Sequence, residues 1–114
     1  MRIYLASRSP RRRELLTQIG VRFDSLLFRD GARMDQEVDE TPKPGEAADA
    51  YVERLARAKA EHGARLVTLR HLVPQPVLAA DTSIELDGEI IGKPENDEHA
   101  SAILQRLSGR AHFV

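Results

Sequence analysis

Cysteine is absent from the 114 residues, and so is tryptophan. That rules out a disulfide framework and a thiolate metal centre, and it fits a reducing compartment, with the cytoplasm as the expected location. Aromatic residues make up only 4% of the chain, which leaves little material for a base-stacking nucleic-acid module. Charge of one sign is lacking as well. Lys+Arg 17 against Asp+Glu 18 leaves a formal charge of -1, so neither a basic field for nucleic acid nor an acidic disordered tail is present. Near the N-terminus the longest apolar run is Ile3 to Ala6, too short for a signal-peptide core, and no stretch reaches transmembrane length. There is no Walker-type glycine loop, dinucleotide fingerprint or Gly-x-Ser-x-Gly elbow.

What is present reads as alternating strands and helices. With 41% hydrophobic and 31% charged residues, the chain suits one globular domain of modest core, or part of a larger one. Ile3 to Ala6 is a short strand-like run feeding a Ser-rich turn. A helix follows from about Pro10, with Ser9 as N-cap, Leu15, Leu16 and Ile19 on the inward face, and Gly20 as the stop. Val21 to Phe28 alternates as a second strand. Arg29 to Gly45 is a long polar loop, rich in acids, where function is expected. A second helix starts near Glu46 and carries Tyr51, Val52, Leu55, Ala56 and Lys59 at helical spacing, ending near Gly63 or slightly beyond.

After a connector with two prolines, Val77 to Ala80 is a continuous apolar run of the kind buried on both faces, and it ends abruptly at Asp81. Asp87-Gly88 between alternating residues signals a two-residue hairpin. With Leu86 opposite Glu89, the register pairs Ile84 with Ile91 and Thr82 with Lys93. Strict alternation points Asp81 to the other face, so joining it to Lys93 needs a twist or bulge. A third helix after Asn96 or Asp97 puts Ala100, Ile103, Leu104 and Leu107 inward and closes at Gly109. Ala111 to Val114 begins another strand.

The candidate chemistry starts from an electrostatic conflict. Arg11, Arg12 and Arg13 occupy the first turn of the first helix, where the macrodipole is positive and each cation is disfavoured by roughly 0.3–1 kcal/mol. Long exposed stems can swing the charges into water. Alternatively, the arginines, the loop of Ser7, Arg8 and Ser9, and the exposed helix amides converge on phosphate oxygens at the carboxyl end of a strand. Asp81 is either a cap for the sheet end or a general base or magnesium ligand at the sheet's carboxyl edge. Glu37, Asp39 and Glu40 are either a solvated acidic run or further hard oxygen ligands. His62, His71, His99 and His112 show no metal-type pairing and are assigned to surface or packing.

Taken together, "LASRSPRRRELL", "VDETPKPGE", "YVERLARAKA", "AADT", "DGEIIGKP" and "LSGRAH" stand in the order and approximate spacing of the Maf family of nucleoside triphosphate pyrophosphatases, the septum formation inhibitor proteins. The chain resembles that family over essentially its whole length. The resemblance implies an α/β fold of the Maf and inosine-triphosphatase type, a mixed twisted sheet flanked by helices, of which residues 1–114 are the N-terminal portion of a single domain. It implies a cytoplasmic house-cleaning hydrolase that cleaves a nucleoside triphosphate between the alpha and beta phosphates with a divalent cation, Mg2+ or Mn2+. "SPRR" and "ADT" resemble the dTTP/UTP branch; the 7-methyl-GTP branch carries a tryptophan and a glutamine where Arg11 and Thr82 stand here.

Carried over by position, Asp81 matches the proton acceptor. Glu40 and Lys93 match catalytic-cleft positions, with Glu40 and Asp81 as metal ligands. Ser7, Arg11 and Arg12 match the phosphate-binding loop, and Arg12 and Thr82 match positions tied to substrate choice. The implied partner is the nucleotide, with no nucleic-acid polymer and no membrane, and a homodimer is left open. Family members continue for roughly 80 residues beyond "LSGRAH", a usual size for the rest of such a domain, and those residues include a glutamine tied to base recognition. "FRDGARMDQ" is longer than in the shortest members, a tolerated loop insertion. Two rival readings stay open: a nucleotide-binding fragment that hydrolyses nothing, and a septum-related interaction protein.

Overall fold

The computed structural model describes residues 1–28, 38–92 and 96–114, so Glu37 and Lys93 of the expected site lie outside the described residues. Among the described residues, strands and helices alternate: β1 (Arg2–Leu5), α1 (Pro10–Gln18), β2 (Arg22–Ser25), α2 (Ala48–Leu69), β3 (Val77–Leu78), β4 (Ile84–Leu86), β5 (Glu89–Ile91) and α3 (Asp97–Leu107). The fold is mixed α/β, as expected. The chain forms two compact units, Met1–Glu40 with Arg54–Ala80 and Thr41–Glu53 with Asp81–Val114.

In the first unit β1 is the central strand of a parallel sheet in the order β2-β1-β3. Its centrality follows from its side chains: Tyr4, Leu5 and Ala6 are all buried, so this short run is covered on both faces. Tyr4 packs with Leu26 and Val67, and Val77 lies against them. The Tyr4 hydroxyl donates to the Val73 carbonyl at 2.7 Å, which satisfies the polar end of an otherwise buried ring. The expected doubly buried strand at Val77 to Ala80 is corrected by this arrangement. Among the described residues only Val77 and Leu78 of this run pair, they pair with β1 alone, and Leu78 is 42% exposed.

α2, expected to end near Gly63 or slightly beyond, runs six residues past that glycine. A Cβ on Gly63 would stand 2.9 Å from Val77 Cγ1 and 3.2 Å from Leu26 Cδ2. This glycine therefore allows the helix to approach the sheet closely, and it does not end the helix. The end comes at His71, whose φ of 53° supplies the left-handed residue, with Leu72 N–H bonded to the Val67 carbonyl at 3.0 Å and His71 N–H to Thr68 at 3.2 Å. α1 ends in the same motif at Gly20, as the sequence indicated.

In the second unit Asp87 and Gly88 both take positive φ, 52° and 77°, the signature of a type I′ turn. The register is Leu86↔Glu89 and Ile84↔Ile91, as derived from sequence. Phe113 bridges Glu85 on the other side of β4, which is all that forms of the expected strand at Ala111 to Val114. The inward faces expected for the first and third helices are only partly covered, with Leu16, Ala100, Ile103 and Leu107 half-buried. None of the described residues of α1 or α3 is buried, and Leu15 at 45%, Ile19 at 72% and Leu104 at 67% are exposed.

Candidate active site

The parallel strands of the first unit deliver their carboxyl ends to one edge, the place where open α/β sheets hold ligands. β1 leads through Ala6 into Ser7, Arg8 and Ser9. Proline at position 10 keeps Ser9 extended, with φ -68° and ψ 116°, and this sets its hydroxyl as the N-cap of α1. Ser9 Oγ accepts from Arg12 N–H at 3.3 Å. Ser7 Oγ accepts from Ser9 N–H at 3.1 Å and from the Arg12 guanidinium at 3.3 Å. The structure thus brings Ser7 and Arg12 together. Arg11 points elsewhere: its side chain is 75% exposed and reaches Glu14 at 3.7 Å, the solvated placement that long stems allow.

β2 delivers Leu26, Leu27 and Phe28 to the same edge. Leu26 N–H bonds to the Leu5 carbonyl at 2.9 Å, so the two strand ends leave side by side. Two arginines hold the next carbonyls: Arg70 donates to Leu27 O at 2.9 Å, and Arg8 donates to Phe28 O. The Phe28 ring meets His62 of α2 edge-on, with centroids 4.5 Å apart and an interplanar angle of 79°. His62 is 5% exposed, so of the surface and packing placements left open for it the structure takes packing.

Lys59 lies one helical turn before His62 on α2, on the face that also carries Leu55 and Leu66. Its ammonium is 2.9 Å from Glu40 Oε1, with the lysine side chain 15% exposed and that of Glu40 43% exposed. The pairing of Glu40 with Lys59 was not foreseen from sequence. The signal was there, because a lysine in the middle of an apolar stripe requires a partner.

Asp81 and Thr82 follow β3 and belong to the second unit; Asp81 is half-buried and Thr82 exposed. Lys93, the expected partner of Thr82 in the hairpin register, lies outside the described residues. Among the described residues no group of three His, Cys, Asp or Glu side chains is placed to hold a metal ion. Glu40, exposed in the first unit, and Asp81, half-buried in the second, are each single carboxylates, the kind of hard oxygen donor that magnesium takes one or two of beside substrate phosphates and water. No described helix is long and apolar enough to cross a membrane.

Comparison with known proteins gives this geometry its context. The profile of the family described as "Maf-like protein" matches residues 2–114. Among curated relatives, the dTTP/UTP pyrophosphatase of Dechloromonas aromatica is 64% identical over 114 residues, 100% of this chain and 57% of the relative. Those of Aromatoleum aromaticum and Nitrosospira multiformis are 61% and 54% identical, each over 99% of this chain and 55% of the relative. The chain spans about half the length of the curated relatives it matches.

Proposed function

The chain belongs to the Maf-like family, and from that membership we propose that the full-length protein is a nucleoside triphosphate pyrophosphatase acting on dTTP and UTP. The observation that carries the proposal is identity of 64% and 61% to relatives named for that activity, spread over the whole of this chain. The substrate loop supports it physically: Ser7 and Arg12 are already joined at the N-terminus of α1, where amides and a positive pole favour phosphate.

In this reading catalysis is positional and electrostatic. Arg12, with Ser7 and the first-turn amides of α1, binds the triphosphate, Arg11 joins when its exposed stem swings from Glu14 to the phosphates, and Thr82 with Arg12 contributes to the choice of base. Asp81 takes a proton from the attacking water, whose oxygen bonds to the alpha phosphorus as the alpha–beta anhydride bond breaks and diphosphate leaves. Lys93 offsets the charge that develops, and Glu40 contributes a second carboxylate to the reaction. Glu40 and Asp81 would hold a divalent cation, Mg2+ or Mn2+, whose chemistry is to neutralise triphosphate charge. The products, a monophosphate and diphosphate, suit a house-cleaning role in the cytoplasm.

The decisive experiment is Asp81→Asn in the full-length protein. Diphosphate release from dTTP and UTP is expected to fall at least about 100-fold, the lower range for loss of a general base, while calorimetric nucleotide binding persists. Normal turnover in the variant removes Asp81 from the mechanism. Binding of dTTP by the wild-type protein without any diphosphate release favours a nucleotide-binding role instead.

A further inference from the structure

We propose that Lys59 is a positioning residue for the reaction, placed on the core-facing stripe of α2 to fix the carboxylate of Glu40. The inference rests on the pyrophosphatase reading above and adds to it a residue outside the loop and strand motifs. On α2 the buried positions are Tyr51, Leu55, His62, Gly63, Leu66 and Val67, and Lys59 falls four residues after Leu55 and three before His62. The helical period therefore carries its stem along the side that packs on the sheet.

A lysine there loses most of its hydration, since its side chain is 15% exposed. An ammonium in that setting needs a counter-charge, and Glu40 supplies it at 2.9 Å. The relation is unequal, and that inequality assigns the roles. Lys59 is rooted in a 22-residue helix, whereas Glu40 stands on backbone without regular structure between residues 38 and 43. The rigid partner orients the loose one, and a carboxylate on an irregular segment gains a defined position.

The pair also sits within one helical turn of the strand-end cluster. His62 is the next residue along the stripe, its ring meets Phe28, and the Phe28 carbonyl accepts from Arg8 of the Ser7–Ser9 loop. Lys59 thus ties Glu40 to the edge where β1 and β2 deliver the phosphate-loop residues, and it acts on the reaction through Glu40.

The test is a kinetic double-mutant cycle in the full-length enzyme with dTTP: Lys59→Met, Glu40→Gln, the combined variant and Lys59→Arg, each checked for folding by thermal melting. Each single neutral variant is expected to lower kcat about 10- to 100-fold, the scale for misplacing a group by about an ångström, with KM moving less. The combined variant should fall within about threefold of the worse single one, because both changes remove the same coupled unit. Lys59→Arg should recover most of the rate. If Lys59→Met does not fold, Lys59→Gln takes its place in the cycle.

A folded Lys59→Met enzyme with wild-type kcat overturns the proposal, and so do losses that multiply in the combined variant. Wild-type turnover that survives Glu40→Gln unchanged sinks the Lys59 assignment alone. A wild-type protein that releases no diphosphate sinks the pyrophosphatase reading, and this inference falls with it.

Discussion

The two compact units use the same elements to different ends. The first places a strand buried on both faces beside a long helix brought close by Gly63, and its core includes Tyr4, Leu5, Leu26, Leu55, Leu66 and Val67. The second rests on a hairpin whose Leu86 and Ile91 are buried and on α3, none of whose described residues is buried. Their helix starts differ as instructively. Ser9 and Asn96 both cap through a side-chain oxygen, at 3.3 and 2.8 Å. Yet α3 opens with Asp97 and Glu98 and carries Arg106 in its last turn, while α1 has no acid in its first turn and three arginines there. α3 follows the dipole rule and is optimised as a helix. α1 breaks it, and in a protein read as binding triphosphate the conflict is relieved when an anion arrives.

The contrast in packing gives the largest stability effect. Leu55→Ala, at a side chain 1% exposed, should cost about 2–5 kcal/mol, whereas Leu104→Ala should stay within about 0.5 kcal/mol. Urea unfolding with hydrogen exchange resolves the two regions, and equal losses would erase the distinction. Next comes Gly63→Val, expected to cost about 1–3 kcal/mol by overpacking against Val77 and Leu26. Gly92→Val, where an added Cβ meets nothing within 4 Å, should be close to neutral. A neutral Gly63→Val would show that the helix and sheet have room to separate.

Smaller still is the charge test. Arg13→Glu should stabilise the chain by about 0.3–1 kcal/mol at low salt, and Asp97→Lys should destabilise it by a similar amount. Both effects should fade in molar salt. A destabilising Arg13→Glu would mean that Arg13 itself has a structural partner.

The smallest effect concerns Asp24, whose pKa is lowered by hydrogen bonding from Arg2, with Gln75 assisting. A lowered folded-state pKa stabilises above the unfolded value, near 3.8, and that contribution is lost as pH falls through the folded-state value. The pair is exposed at both ends, so its worth is slight. Asp24→Asn should flatten the acid limb of a melting-temperature profile below about pH 4. An unchanged limb would show that Arg2 does not hold Asp24 in solution.

Much of this was legible in the residues. Local rules set the cap at Ser9, the stop at Gly20, the hairpin at Asp87-Gly88 with its register, and the start of α3 to within a residue, at Asn96 or Asp97, because each depends on backbone conformations that neighbouring residues impose. The order of motifs pointed to the Maf family, and the comparisons agree. Periodicity failed where an element's surroundings decide the outcome. It gave α1 and α3 inward faces that are at most half-buried, and it treated Gly63 as punctuation when the glycine answers to a neighbouring strand.

The candidate site divides along the same line. Ser7 and Arg12 lie five residues apart, so a turn and a helix start were enough to join them. Glu40 and Lys59 are 19 positions apart, and only the packing of α2 on the sheet places the lysine where its charge must find that carboxylate. Sequence determined the helix starts, the tight turn and the chemistry available at each strand end, since those are short-range consequences of sterics and hydrogen bonding. The tertiary structure alone decided which strand is central, where α2 ends and which acid meets the buried cation, because each of these depends on burial among residues distant in the chain.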